Sequence, residues 1–132
     1  MLTHTINRTW SGAGSSIAAS VQLQGGAELN IDEPIADGVT NGAVAFAMDV
    51  SQLKALFIKS DVAMTIETNS GGSPVNTITL AAGIPFVWAQ GDPALRDTGN
   101  TAITTDITSL FVTNASGANG TLQIRALYDP TA

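Results

Sequence analysis

The residues that could carry out catalysis are few in this chain. It contains one histidine, His4, no cysteine and eleven acidic residues. A hydrolytic triad needs a nucleophile, an imidazole or equivalent base, and an orienting group. His4 alternates with apolar residues close to the N-terminus, which favours a structural or surface histidine over a general base. We therefore predict no catalytic residues and a protein that is not an enzyme.

Acidic pairs are the remaining route to hydrolysis, because a glycosidase works with two carboxyl groups in one cleft. The acids that stand out lie in loops or at strand ends: Asp32, Glu33, Asp92, Asp97 and Asp129. Acids in such positions usually cap turns and face water. The pattern predicts turn-capping carboxylates, although the sequence does not exclude a meeting of two acids in space.

Metal and phosphate sites are also poorly supported. Asp92, Asp97 and Asn100 share one polar loop, and calcium takes oxygen ligands, but the loop lacks the regular acidic spacing and the final glutamate of a calcium loop. Whether the Asp92–Asn100 loop binds a cation stays open. The glycine pairs at 12–14 and 71–72 are followed by no lysine, so they read as turns. We expect no metal and no cofactor.

The charge distribution limits the possible partners. The net charge is −6, and the five cationic residues are scattered, so the sequence predicts no nucleic-acid partner. No stretch approaches the roughly 18 consecutive apolar residues of a membrane span. The N-terminus lacks a basic segment followed by an apolar one, so we expect no signal peptide and synthesis in a cytoplasm.

The low content of charge points to permanent neighbours. Charged residues make up 12% of the chain, about half of the usual share of roughly 25%. Small neutral residues must therefore cover much of the surface, for example on the predicted strand face of Ala43, Ala45 and Ala47. Such a surface loses less hydration energy on contact than one covered by Lys and Glu. It favours binding to other proteins.

Period-two alternation of apolar residues is the dominant structural signal. It predicts about nine or ten short strands at intervals of roughly 8–12 residues, with almost no helix. The expected fold is all-β, an antiparallel β-sandwich of jelly-roll or tulip-like connection, forming a single domain over residues 1–132. An extended N-terminal strand is expected at 1–12.

Four local predictions are more specific. Residues 44–50 alternate cleanly and predict a strand, whereas 51–59 predict a short helical turn, capped by Ser51, that leads into a strand. Residues 85–88 begin with proline, which is typical of an edge strand. Residues 108–128 contain two apolar runs around an Asn/Gly-rich loop and predict a hairpin.

Three aromatic residues leave two interpretations open. Trp10, Trp88 and Tyr128 are the only Trp and Tyr residues in the chain. Core packing is the interpretation that we favour for them. Exposed together on one sheet face they would instead form a sugar-stacking platform, so a carbohydrate-binding β-sandwich module is one alternative function.

Three segments carry a resemblance to a known family: LKALFIKSDVAMTIETNS, TITLAAGIPFVWAQGD and ITSLFVTNASGANGTLQIRALYDPTA. Between roughly residues 50 and 132 the chain resembles small β-rich virion structural proteins of tailed bacteriophages, most nearly the head decoration, or cement, proteins. The resemblance implies a β-sandwich or tulip-like fold on the outer surface of an icosahedral capsid. It also implies homo-oligomers, often trimers, that bridge and stabilise capsomers.

The partners implied by this resemblance are the major capsid protein and further copies of the chain itself. Contact residues come from physical reasoning alone. Leu2, Ile6 and Trp10 could add a terminal strand to a neighbour's sheet edge, and Tyr128 could dock near the C-terminus. A tail, baseplate or fibre-associated virion component remains a second alternative.

Overall fold

The computed structural model describes residues 1–90 and 103–131, which form ten β-strands and their turns and contain no helix. The predicted all-β class is confirmed. The predicted polar loop around Asp92–Asn100 lies outside the described residues. The strands are β1 (Leu2–Gly12), β2 (Ser15–Gly25), β3 (Ala27–Ile35), β4 (Gly42–Val44), β5 (Leu53–Ser60), β6 (Met64–Thr68), β7 (Thr77–Leu80), β8 (Phe86–Ala89), β9 (Leu110–Thr113) and β10 (Gly120–Tyr128).

Two four-stranded sheets form a sandwich. One has the strand order β3-β10-β5-β8 and the other the order β4-β9-β6-β7, and every pairing within them is antiparallel. Strands β1 and β2 form a separate two-stranded sheet. The antiparallel β-sandwich that the alternation predicts is therefore present, with a hairpin added to it.

The core lies between the two four-stranded sheets. Because side chains alternate across a strand, each strand contributes every second residue to it. Many of the aliphatic side chains there are less than 2% exposed, including Leu56, Ile66 and Ile124. Each such burial contributes about 1.5–3 kcal/mol. The aliphatic core is thus sufficient to hold the sheets together without disulfides.

The predicted hairpin at 108–128 is wrong. Strand β9 pairs with β4 and β6 in one sheet, whereas β10 pairs with β3 and β5 in the other. The Asn/Gly-rich loop between them crosses from sheet to sheet. Local alternation identifies both strands correctly, but it carries no information about whether neighbours in sequence pair with each other.

The buried side chain of Asn114 holds this crossing loop in place. Its Nδ2 donates to the carbonyl oxygens of Ile35, Ala36 and Ala118 at 3.2, 3.3 and 2.8 Å. Its Oδ1 accepts from the backbone and the hydroxyl of Ser116 at 3.1 and 2.6 Å. The amide therefore links the end of β3 to the loop that leads into β10.

The predicted strand at 44–50 is only partly correct. Val44, Phe46 and Met48 are buried as the alternation requires. The regular strand β4 nevertheless ends at Val44, since the amide of Phe46 donates to the carbonyl of Val44 at 2.8 Å and tightens the chain. Pairing resumes only at the bridge between Met48 and Ile107. The facing alanines at 43, 45 and 47 are exposed.

Two further local predictions have mixed outcomes. A turn does lead into β5, but its cap is Asp49, whose Oδ1 accepts from the amide of Ser51 at 2.9 Å and from the Ser51 hydroxyl at 2.8 Å. Ser51 is the donor there, so the predicted cap is wrong, and the turn is not helical. The predicted strand at 85–88 is β8, and it lies at the edge of its sheet as expected.

We expect Asn114→Ala to lower the free energy of unfolding by at least about 2 kcal/mol, because it removes the hydrogen bonds that this buried amide makes with the carbonyls of residues 35, 36 and 118 and with Ser116. Asn119→Ala is the matched control. Asn119 is exposed and accepts a single hydrogen bond, from the amide of Asp37, so its loss should be under about 1 kcal/mol. Urea unfolding of both variants measures the difference. Equal losses would show that the buried amide does not hold the crossing.

Candidate functional site

The most distinctive feature of the molecule is the β1–β2 hairpin, which we call the hairpin arm (residues 2–25). Its strands pair over eleven positions, from Leu2 opposite Gly25 to Gly12 opposite Ser15. Eleven residues at about 3.3 Å each make a ribbon roughly 35 Å long. The two strands meet at the turn Ala13-Gly14, where Gly14 has a φ of 85° that favours glycine. The sequence therefore builds a long two-stranded extension.

The hairpin arm is amphipathic. Residues directly opposite each other in an antiparallel pair project from the same face, so the register sorts the side chains. One face is mostly apolar and carries Leu2, His4, Ile6, Arg8 and Trp10 of β1 with Ile17, Ala19, Val21 and Leu23 of β2. The other is mostly polar and carries Thr3, Thr5, Asn7 and Thr9 with Ala18, Ser20, Gln22 and Gln24.

The inner half of the hairpin arm (residues 2–6 and 21–25) is seated on the sandwich. Its buried Leu23 packs with Leu127 of β10 and Ala89 of β8, and Ile6 and Val21 pack around them. These contacts lie on the face of the β3-β10-β5-β8 sheet that points away from the main core. We call it the outer sheet face, defined by Glu28, Asp32, Ala55, Phe57, Lys59, Val87, Ala89, Arg125 and Leu127.

The outer half of the hairpin arm (residues 7–20) continues the same apolar face without cover. Every residue in it is exposed. Trp10 and Ile17 lie directly opposite each other near the tip and are 73% and 69% exposed. A tryptophan and an isoleucine side by side in water form a small apolar patch at the end of a long ribbon. This geometry is typical of a segment that packs on another surface.

A shallow apolar groove lies beside the seated half of the hairpin arm. Its volume is about 140 Å³, and its walls include Ile6, Ala55, Phe57 and Leu127. Phe57 remains 40% exposed there. The outer sheet face therefore holds one hairpin half and still presents apolar surface next to it.

An ion pair ties the hairpin arm to β3. The Nε2 atom of His4 lies 2.7 Å from Oε2 of Glu28, and both side chains are about one third exposed. The pKa of His4 is raised, mainly by a hydrogen bond with the backbone of Thr3 and next by Glu28. The pKa of Glu28 is lowered, first by His4 and then by Asn30, with a small contribution from Arg125. The pair therefore favours the charged form of both groups.

A second concave region contains two carboxylates. An open cleft of about 470 Å³ is lined by Asp49 and Asp106 together with Met48 and Tyr128. Hydrogen bonds from the side chain and the backbone of Ser51 lower the pKa of Asp49. Asp106 accepts a hydrogen bond from the amide of Val50 at 2.9 Å. A glycosidase acid needs a raised pKa, so the lowered pKa of Asp49 does not suit that role. Both acids accept hydrogen bonds from the turn at residues 49–51 and act as its caps.

The structure brings together three of the four predicted contact residues. Leu2, Ile6 and Trp10 share the apolar face of the hairpin arm, where Leu2 is 40% exposed and Ile6 is half-buried. Tyr128 lies apart from them, half-buried against the main core and in the wall of the cleft. One edge of β1 is already paired with β2 of the same chain. We therefore favour the apolar face of the hairpin arm, rather than a strand edge, as the contact surface.

The aromatic residues do not form a common platform. Trp88 is 3% exposed and belongs to the main core, whereas Trp10 lies near the tip of the hairpin arm. Sequence reasoning missed two apolar residues of the surface, Ile17 and Phe57. Ile17 could have been found by pairing β1 with β2 across the turn at 13–14. Phe57 could not, because its run of apolar neighbours predicts a strand buried on both faces.

Within residues 1–90 and 103–131, no three acidic or histidine side chains cluster closely enough to hold a metal ion. The predicted cation candidates Asp92, Asp97 and Asn100 lie outside these ranges. The same part of the chain has no helix long and apolar enough to cross a membrane.

Comparisons with known proteins add one solved structure. No protein-family model and no curated protein matches the chain. A chain from Bacillus endospore appendages, which form a novel family of disulfide-linked pili, is similar to it at 17% identity and a TM-score of 0.42. The match covers 76% of this chain and 87% of that chain.

The seat of the hairpin arm depends on a close approach at Gly25. A Cβ atom there would lie 2.8 Å from the carbonyl oxygen of Tyr128 and 2.9 Å from Cγ of Leu127. We expect Gly25→Ala to destabilise the fold by about 1–3 kcal/mol through overpacking. Gly12→Ala, at a site with no atom within 4 Å, should have little effect. Thermal unfolding of both compares them, and equal midpoints would contradict the close approach.

The His4–Glu28 pair should depend on pH. The raised pKa of His4 means that its contribution is complete below 6.5 and is lost as pH rises through the folded value. The lowered pKa of Glu28 means that its contribution is present above 4.5 and is lost as pH falls through the folded value. The tie is therefore complete between those two values.

Nuclear magnetic resonance of the single imidazole measures this directly. We expect a titration midpoint above 6.5 for His4 and a lower one in Glu28→Gln, although the Thr3 backbone still raises it there. Glu67→Gln, on the other sheet, is the control and should leave the midpoint unchanged. The same midpoint in the wild type and in Glu28→Gln would show that the pair does not form.

Proposed function

We propose that this chain is a non-enzymatic structural protein of a tailed-bacteriophage virion, a decoration protein that binds the outer surface of the capsid and joins neighbouring capsomers. The hairpin arm carries the proposal. Its apolar face extends beyond the sandwich and ends in the exposed pair Trp10 and Ile17. Burying each of these side chains against a partner would contribute about 1.5–3 kcal/mol. The resemblance of residues 50–132 to head decoration proteins supports the choice of assembly.

The outer face of the second sheet supports the same role. Thr65 on β6 lies opposite Thr79 on β7 and Thr113 on β9, so one row of threonines crosses three strands. The exposed alanines at 43, 45 and 47 add a further neutral surface. Contact on such surfaces removes few charges from water, which lowers the cost of binding a protein neighbour.

The mechanism is stabilisation by mass action. Copies that bind the assembled capsid better than its separated capsomers shift the equilibrium towards the assembled state. In this proposal the sandwich lies on the capsid, and the hairpin arm reaches a neighbouring subunit.

A carbohydrate-binding module is the second candidate, and the exposure of Trp10 is the observation that favours it. An aromatic ring open to solvent can stack on a sugar. The same face, however, offers mainly Ile17, Ala19 and the aliphatic stem of Arg8 beside the ring. A sugar site needs several polar groups at fixed positions around the ring, so this surface suits an apolar protein partner better.

Gold-labelled antibodies against the chain test the location. We expect them to label phage heads in particles from the organism that encodes the chain, and particles without the chain should release DNA at lower temperature. The double variant Trp10→Ser/Ile17→Ser should bind such heads more weakly. Its control, Thr9→Ser/Ala18→Ser, changes the adjacent pair on the polar face and should bind normally.

Three results would overturn the proposal. Labelled tails or baseplates would make the chain another kind of virion component. Unlabelled particles would remove it from the virion. Binding to a glycan array that Trp10→Ser abolishes would instead support the carbohydrate module.

A further inference from the structure

We infer that the outer half of the hairpin arm binds the outer sheet face of a second copy of this chain, and that the two copies exchange arms reciprocally. The inference deepens the proposed function and rests on it in treating the hairpin arm as an assembly contact. It names the partner of the uncovered surface: a copy of the chain itself.

The uncovered half of the hairpin arm is continuous with a contact that already exists. Leu23, Val21 and Ile6 of the apolar face pack on the outer sheet face of their own chain. Beyond Ile6 and Val21, the next pairs on the same face are Arg8 with Ala19 and then Trp10 with Ile17. The surface that accepts the first half is therefore chemically suited to the second half, and every copy carries it.

The outer sheet face is not fully covered by the hairpin arm of its own chain. Phe57 is 40% exposed beside the seated half, and it forms a wall of the apolar groove of about 140 Å³. Lys59, two residues along the same strand face, is also exposed. An incoming indole from another copy would cover the ring of Phe57, and aromatic pairs of this kind are favourable beyond their buried area.

The area explains why the exchange should be reciprocal. The uncovered ribbon measures roughly 20 Å by 10 Å from the strand rise and spacing. One arm on one acceptor would bury roughly 400 Å² over both partners, which is in the range of lattice contacts. Two arms on two acceptors double this and approach the roughly 1,000 Å² of a weak specific interface. A two-fold exchange is also closed, so it stops at a dimer.

Sedimentation of the full chain measures the association. We expect a monomer–dimer equilibrium with a dissociation constant of about 1 mM or lower, the value of a weak interface. Dimer should therefore be detectable once the protein concentration reaches about 1 mM. Trp10→Ser/Ile17→Ser should weaken dimerisation by at least about tenfold. The polar-face control Thr9→Ser/Ala18→Ser should dimerise like the wild type, and unchanged melting of both variants excludes unfolding.

Cross-linking identifies the contact, because the chain has no cysteine of its own. An equal mixture of Ala19→Cys and Lys59→Cys should give an intermolecular link between residues 19 and 59 with a short bismaleimide. The mixture of Ala18→Cys and Lys59→Cys is the matched control, since residue 18 lies on the polar face of the hairpin arm. Mass spectrometry of the linked peptides assigns the positions.

The outcomes separate this inference from the proposed function. The arm exchange would be overturned by a dimer that cross-links through residue 18, or through residue 19 of both copies. It would also be overturned if Trp10→Ser/Ile17→Ser dimerised as strongly as the wild type. A monomer at all concentrations would overturn the choice of a second copy as partner. If that monomer still labelled phage heads, the proposed function would stand, with a capsid subunit as the partner of the hairpin arm.

Discussion

The contact of Leu23 with Leu127 and Ala89 determines where the hairpin arm lies on the sandwich, and therefore which apolar surfaces remain exposed. Without this contact, the molecule would be an ordinary two-sheet domain preceded by a hairpin that does not pack on it. With it, the inner half of the hairpin arm is fixed on one face of one sheet, and the outer half is held out in a defined direction. The Gly25 position makes the contact possible, since a side chain there would meet the backbone of β10.

A rigid seat matters because an ordered arm loses little conformational entropy when it binds. A disordered segment with the same residues would lose backbone freedom for each residue that it orders, at roughly 1–2 kcal/mol apiece. The eleven paired positions of β1 and β2 remove that cost in advance. A small apolar patch such as Trp10 with Ile17 can therefore be useful although its area is modest.

Much of the fold could be predicted from the sequence, because alternation reports which side of each strand is buried. The inward positions of β6, β7 and β10 follow directly from it. Pairing between distant strands could not be predicted, since identical alternation suits either sheet. The segment 108–128 illustrates this: alternation predicts both strands, but only their pairing in the structure shows that the chain changes sheets between them.

The candidate surface was predictable to a similar degree. The shared parity of Leu2, Ile6 and Trp10 is visible in the sequence, and the structure places them on one face. The acceptor residue Phe57 was hidden within a continuous apolar run, because exposure depends on what covers a sheet face. Its position near the end of the sequence predicts Tyr128 as a further contact residue, whereas the structure places it in the wall of a different cleft.

The seat of the hairpin arm has a consequence for biosynthesis. The arm closes through contacts between near neighbours in sequence, so it can form early, on the microsecond scale of a hairpin. Leu127, on which it rests, is translated about a hundred residues after Leu23, which at roughly 5–20 residues per second takes several seconds. During that interval the whole apolar face is uncovered. A nascent chain thus exposes the apolar face of the hairpin arm before its sandwich exists, and chaperone binding at residues 6–23 would protect this face until β10 emerges.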